Sequence, residues 1–255
     1  MVGIMGEATA IFMEFLAGER PHEGTLLFVR TGLDSIYLKN YLDPIHPNFR
    51  IEESVLYYTS FLKPRMNEEL DFVEMFRLSE KRDKKVGLPD LWSLQWRLVM
   101  LASHLALQPS LVILSDPTEG LEQKDSMEIL AALRSYSNAT GIPVVIGINE
   151  PKEIFGEFLN SLMILAYNGR DVFYGPLAGA KTYFRVQRLA EINELIKIDY
   201  SGPTRFGESL EQTRNLILTW LEHDRGGEVA ELAPALEIRK SISAWRQFTK
   251  LSWRF

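Results

Sequence analysis

No cysteine occurs among the 255 residues, which excludes disulfides, thiol nucleophiles and cysteine-ligated metals and suits a reducing compartment. Histidine is nearly as scarce. His22, His46, His104 and His223 have no i, i+4 or close-pair spacing, which argues against a histidine-ligated metal. No apolar run approaches the roughly 18 to 20 residues that a bilayer-spanning helix needs. The richest stretch is interrupted by Arg97, His104, Gln108 and Pro109. The N-terminal Met-Val-Gly-Ile-Met-Gly lacks a basic region, an apolar core and a cleavage site, so no signal peptide is expected and the chain reads as if it begins inside a strand. There is also no excess of positive charge. A net charge of −6 and a pI near 5.4 speak against general nucleic-acid binding, which needs a clustered cationic surface.

What is present is an ordinary globular composition, 46% apolar, enough for one large α/β domain with an appendage. Residues 2–5 form a short apolar run before Gly6, and residues 8–17 carry helical periodicity, giving strand, turn and helix. Residues 25–30 and 35–38 are β-rich and are expected to be adjacent strands. From 51 to 107 apolar residues recur every three or four positions, predicting a helical subdomain with charged loops. A strand from Leu111, a helix over 123–136 ending near Asn138, a strand over 144–148 and a helix over 152–160 then alternate, which predicts parallel βαβ units. The segments 162–166 and 172–174 flank Asn168-Gly169 and predict a hairpin. Residues 178–222 read as helices broken at Ser201-Gly-Pro203, and 224–234 as a Gly-containing acidic linker.

Three segments carry chemical information: Leu111-Val-Ile-Leu-Ser-Asp-Pro-Thr-Glu-Gly-Leu121, Val144-Val-Ile-Gly-Ile-Asn-Glu-Pro151 and Phe173-Tyr-Gly-Pro-Leu177. A buried apolar strand that ends in polar residues delivers them to the carboxyl edge of a parallel sheet. In their order and spacing these segments resemble the nucleotide-binding domain of ABC transporters, specifically G-subfamily half-transporters, whose strand reads L-L-F-L-D-E-P-T-S-G-L-D. The stretch from Ile154 through Leu177 is similar to that subfamily's I-F-E-L-F-D…V-Y-x-G-P-L. The resemblance implies a P-loop NTPase-like ABC cassette, α/β with a mainly parallel core sheet, an inserted helical subdomain and a C-terminal helical extension. It places the cassette at 1–184, with the helical subdomain at about 51–107, an extension and linker at 185–237, and an amphipathic connecting helix at 238–255 that leads toward a transmembrane domain.

The resemblance also assigns positions to chemistry. A phosphate loop needs Gly-x-x-x-x-Gly-Lys-[Ser/Thr], so that backbone amides and a lysine surround the phosphates. Ile4-Met-Gly-Glu-Ala-Thr-Ala-Ile-Phe-Met-Glu-Phe-Leu-Ala-Gly18 aligns with the subfamily pattern only if that loop is shortened, leaving Gly6 and Thr9 as its remnants. No lysine precedes Lys39, and Glu7 places negative charge where an anion belongs. Asn40, in Tyr37-Leu-Lys-Asn-Tyr-Leu-Asp-Pro-Ile-His-Pro47, stands in for a magnesium-contacting glutamine. Leu91-Trp-Ser-Leu-Gln-Trp-Arg-Leu98 takes the place of the signature L-S-G-G-E/Q-R-K-R. Trp92 and Leu94 obstruct a close approach there, and Gln95 and Arg97 remain polar. Ser115 and Asp116 occupy the magnesium carboxylate and catalytic glutamate positions, Asp116 being a possible base or magnesium ligand. Asn149 and Glu150 replace the γ-phosphate histidine, and asparagine cannot become cationic.

ATP and magnesium are the cofactors that the resemblance implies, on a chain whose own motifs are eroded. The partners implied are a second half-transporter cassette, in a homo- or heterodimer, and a transmembrane domain, at the cytoplasmic face of a membrane. The expectation is a degenerate cassette with a structural or allosteric role. The alternatives are a non-transport interaction protein on the same fold and a slow ATPase that uses Asp116 and Asn149. Over 238–255, Arg246, Lys250 and Arg254 form one stripe, with Trp245, Phe248 and Leu251 toward another side. This suits a membrane interface, a partner groove or packing on the domain itself.

Overall fold

The computed structural model describes residues 1–19, 35–39, 47–61, 70–87, 93–149, 151–167 and 169–224. The expected strand at 25–30, Asn40, Trp92, Glu150 and the helix at 238–255 lie outside the described residues. Strands β1 (Val2–Gly6), β2 (Ser35–Leu38), β3 (Leu111–Ser115), β4 (Val144–Ile148), β5 (Ser161–Leu165) and β6 (Asp171–Gly175) form one sheet in the order β2-β3-β4-β1-β5-β6. All neighbours are parallel except β5 and β6, which are antiparallel and form the expected hairpin.

The central strands are near-continuous apolar runs because both faces of the sheet are covered. Along β3, Val112 and Leu114 join a large core cluster, while Leu111 and Ile113 join a smaller one with Ile4, Ala8, Met13 and Leu165. This alternation places the two clusters on opposite faces. Helix α1 (Thr9–Leu16) covers the smaller cluster, and Gly147 in β4 leaves room for it: a Cβ there would meet Thr9 Cγ2 at 3.3 Å and the Met13 side chain at 3.5 Å. The larger cluster is built from α2 (Ile51–Phe61), α3 (Phe72–Met75), α4 (Leu94–Leu105), α5 (Gln123–Thr140) and later helices.

Two helix boundaries differ from the sequence expectation. Helix α5 runs to Thr140 rather than stopping near Asn138, because Ser137 and Thr140 hydroxyls satisfy local carbonyls and the stop comes from Gly141 at φ 68°. Only α6 (Phe155–Phe158) is helical within the expected 152–160 helix, since Lys152 and Glu153 are committed to tertiary contacts described below. Helices α7 (Leu177–Phe184), α8 (Leu189–Ile196) and α9 (Pro203–Asp224) follow the sheet. Trp220 anchors α9 to β6: its Nε1 donates to Asp171 Oδ2 at 2.8 Å, and its ring lies 5.5 Å from Phe173 and 5.6 Å, edge-on, from Tyr183.

Candidate functional site at the carboxyl edge of the sheet

Open parallel sheets bind ligands in the crevice outside the carboxyl ends of their strands. Here that edge is formed by the residues following β1, β3 and β4, and it brings together Gly6, Thr9, Ser115, Asp116 and Asn149 from well-separated parts of the sequence. Gln95 sits one residue into α4, half-buried, behind a Ser93 cap.

Asp116 is 1% exposed. Its Oδ1 accepts from the Thr118 backbone N–H at 3.1 Å and the Thr118 hydroxyl at 2.9 Å, and its Oδ2 accepts from the Asn149 backbone N–H at 2.8 Å. One oxygen folds the turn after β3, and the other ties that turn to the end of β4. A magnesium ligand or general base needs a carboxylate lone pair directed at the metal or at water. In this structure each Asp116 oxygen accepts from a protein donor, and the carboxylate is buried. Ser115, half-buried at the strand end, is neutral, and among the described residues no group of three or more His, Asp or Glu side chains could hold a metal ion. The residues present do not fit a magnesium–nucleotide at this position.

The turn after β3 is held by two cations. Arg97, buried on α4, donates from Nη1 to the Pro117 carbonyl at 2.8 Å and from Nη2 to the Glu119 carbonyl at 2.6 Å. Lys152 Nζ donates to the Leu121 carbonyl at 2.9 Å, the Ser126 hydroxyl at 3.1 Å and the Thr118 carbonyl at 3.3 Å. Charge-assisted bonds of this kind are stronger than neutral ones, so the turn is stiffened without any ligand. Replacing Lys152 by methionine is expected to lower unfolding stability by about 1–2 kcal/mol, from the loss of three acceptors' partner. Urea unfolding checks this, and a change below a few tenths would show that the ammonium contributes no stability there. Sequence reasoning noted Arg97 only as a polar remnant and missed Lys152. The available signals were a guanidinium set between Trp96 and Leu98 and a lysine directly after Pro151.

At the end of β1 the chain turns directly into α1. Gly6 has φ +116°, and a Cβ on it would lie 2.0 Å from the Leu165 carbonyl oxygen. Thr9 is buried, and its hydroxyl donates to the Gly6 carbonyl at 2.7 Å, so it closes the turn. Glu7 accepts from the Ile198 backbone N–H at 2.8 Å. Asn149 is exposed, and its carbonyl accepts from Asn193 Nδ2 at 3.4 Å.

Glu153 accepts from the Leu189 backbone N–H at 2.8 Å and is ion-paired with Lys181. Burial pushes its carboxyl up, but the bonds from Lys181 and the Leu189 amide outweigh that and hold it below its ordinary value. A depressed folded value means the stabilisation is complete above the unfolded value and is lost as pH falls through the folded one. Because half of this side chain is exposed, solvent screening limits the effect to less than about 1 kcal/mol. Glu153→Gln is therefore expected to flatten stability slightly below the ordinary glutamate range and leave its pH dependence unchanged above neutrality. An equal slope in both proteins on the acid side would contradict the assignment.

No family model matches the chain. In sequence it is 26% identical over 296 residues to ABC transporter G family member 37 of Arabidopsis thaliana, an alignment covering all of this chain and 20% of that protein. It is 30% identical over 141 residues to member 30 of the same organism, covering 51% of this chain and 10% of the relative. It is also 26% identical over 145 residues to ABC transporter G family member 6 of Dictyostelium discoideum, covering 53% of this chain and 10% of the relative. The chain thus spans a tenth to a fifth of the length of these curated relatives. Among solved structures it is similar to cbiO1 from Clostridium perfringens, part of the ABC transporter complex cbiONQ, with TM-score 0.55 and 18% identity over 76% of this chain and 86% of that one. It is likewise similar to a metal-chelate type ABC transporter in an inward-facing conformation, with TM-score 0.53 and 14% identity over 70% of this chain and 72% of that one. The fold is that of ABC transporter ATPase domains, and the sequence relatives are ABC transporter G family members.

Proposed function

We propose that this chain is a degenerate ATP-binding-cassette domain of a G-type ABC transporter, acting structurally or allosterically in ATP-driven transmembrane transport rather than hydrolysing ATP itself. In this reading residues 1–184 are the cassette, 185–237 an extension and linker, and 238–255 a connecting helix toward a transmembrane domain at the cytoplasmic face of a membrane. The partner is a second cassette, with which it would form a dimer whose ATP sites this chain leaves incomplete.

The observation that supports the reading is that Asp116, 1% exposed, has both oxygens accepting from Thr118 and Asn149. The absence of any lysine before Lys39 supports it independently, since no cation in the first strand–turn–helix can meet a triphosphate. Ser115, Gln95 and Asn149, and Asn40 on sequence alone, are in this reading family positions whose chemistry has been replaced. The test is steady-state turnover of Mg–ATP by the purified chain against an Asp116→Ala control. Equal, background-level release of phosphate is expected from both. Turnover by the unmodified chain that exceeds background would overturn the proposal.

A further inference from the structure

Helix α8 is tied to the carboxyl edge of the sheet at three points along its length. Its first residue, Leu189, donates its N–H to Glu153 at 2.8 Å; Asn193 in its middle donates to the Asn149 carbonyl at 3.4 Å; and just beyond its end Ile198 donates its N–H to Glu7 at 2.8 Å. The acceptors belong to the loops that leave β4 and β1, two neighbouring strands. Leu189, Ile192, Ile196 and Ile198 are buried, so the helix is packed down as well as hydrogen-bonded. The far side of the same segment is also held: Asp199 N–H donates to the Ser209 hydroxyl at 3.0 Å and Thr213 donates to the Ile196 carbonyl at 3.4 Å, both acceptor and donor lying on α9.

We propose that α8 and the following residues 197–199 form an intramolecular strap that closes the crevice at the carboxyl ends of β1 and β4, so that the chain's own polypeptide fills the space where parallel α/β sheets admit ligands. The proposal goes beyond the loss of catalytic residues: it assigns the closed state to specific contacts. Glu7 is the decisive tie. It is the residue directly after Gly6, whose φ is +116°, and its carboxylate reaches a backbone amide distant in sequence. The strap is held by Glu153 at its start, Asn149 in its middle and Glu7 at its end, and Leu189, Ile192 and Ile196 seat it in the main core.

Amide hydrogen exchange on the whole chain tests this. In the unmodified protein the Ile198 amide is expected to be protected at least tenfold over its intrinsic rate; an unprotected amide there would overturn the strap directly, with no variant needed. Glu7→Ala is expected to raise exchange across residues 196–199 at least tenfold while β3 and α5 exchange as before, and Glu7→Gln, which keeps a carbonyl acceptor, is expected to restore most of the protection. Unchanged exchange in Glu7→Ala would remove Glu7 from the closure and contradict the proposal. These readouts involve no nucleotide, so an unprotected Ile198 amide would refute the strap while leaving the functional reading to its own ATP-turnover test.

Discussion

Replacing Asp116 by alanine is expected to lower the free energy of unfolding by about 3 kcal/mol, because it strands two backbone N–H groups and a hydroxyl at a site that is 1% exposed. The arithmetic rests on asymmetry. A hydrogen bond to a charged acceptor contributes roughly 1.5–3 kcal/mol, and leaving a buried donor unsatisfied costs about 1–3 kcal/mol more than replacing both partners. Asp116→Asn is the informative companion. Its amide retains one acceptor oxygen but turns an –NH2 toward either the Thr118 or the Asn149 N–H, so it is expected to lose about half as much. Equilibrium urea unfolding with an unchanged slope reads both values. A loss below about 0.5 kcal/mol for Asp116→Ala would be the signature of a residue kept for chemistry rather than for structure.

The second large effect is at Gly6. Alanine there would carry its Cβ to within 2.0 Å of the Leu165 carbonyl oxygen while the backbone holds φ +116°, a conformation that L side chains rarely adopt. Clash and backbone strain add, and the expected loss is about 4 kcal/mol or failure to fold. Gly18→Ala supplies the control. Its φ of +74° is also left-handed, but a Cβ there meets nothing within 4 Å, so its cost should stay near 1 kcal/mol. Similar losses at the two positions, measured by thermal unfolding, would mean that close packing of β1 on β5 is not what requires glycine at Gly6.

The sheet was legible because its signal is local. Apolar runs at 111–115 and 144–148, each punctuated by polar residues at the carboxyl end, are what a strand buried on both faces requires, and the 162–166 and 172–174 pair flanks a turn glycine. The strand–turn–helix through Gly6 was legible too, from an apolar run, a glycine and helical periodicity after it. What the sequence concealed are contacts between residues far apart along the chain. Arg97 grips Pro117 and Glu119 through carbonyl oxygens, and any residue type supplies a carbonyl, so no pattern marks the partner. Glu7 reads as an electrostatic obstacle to phosphate, whereas its structural partner is the Ile198 amide, 191 residues away. Asp116 shows the same limit: its type and spacing suggest a base, and its bonds to Thr118 and Asn149 carry no sequence signal. The helix expected over 152–160 shrank to Phe155–Phe158 because Lys152 and Glu153 bond outward, an outcome periodicity cannot anticipate.

Thermal unfolding with and without saturating Mg–ATP addresses nucleotide binding at the carboxyl edge most directly, because any ligand that binds only the folded state raises stability by RT ln(1 + [L]/Kd). At millimolar nucleotide a cassette with micromolar affinity would gain about 4 kcal/mol and several degrees. For this chain the expected shift is indistinguishable from that produced by magnesium and an inert salt at the same ionic strength. A saturable, magnesium-dependent rise of several degrees would contradict both the proposed degenerate cassette and the proposed closure of the edge by Glu7 and α8.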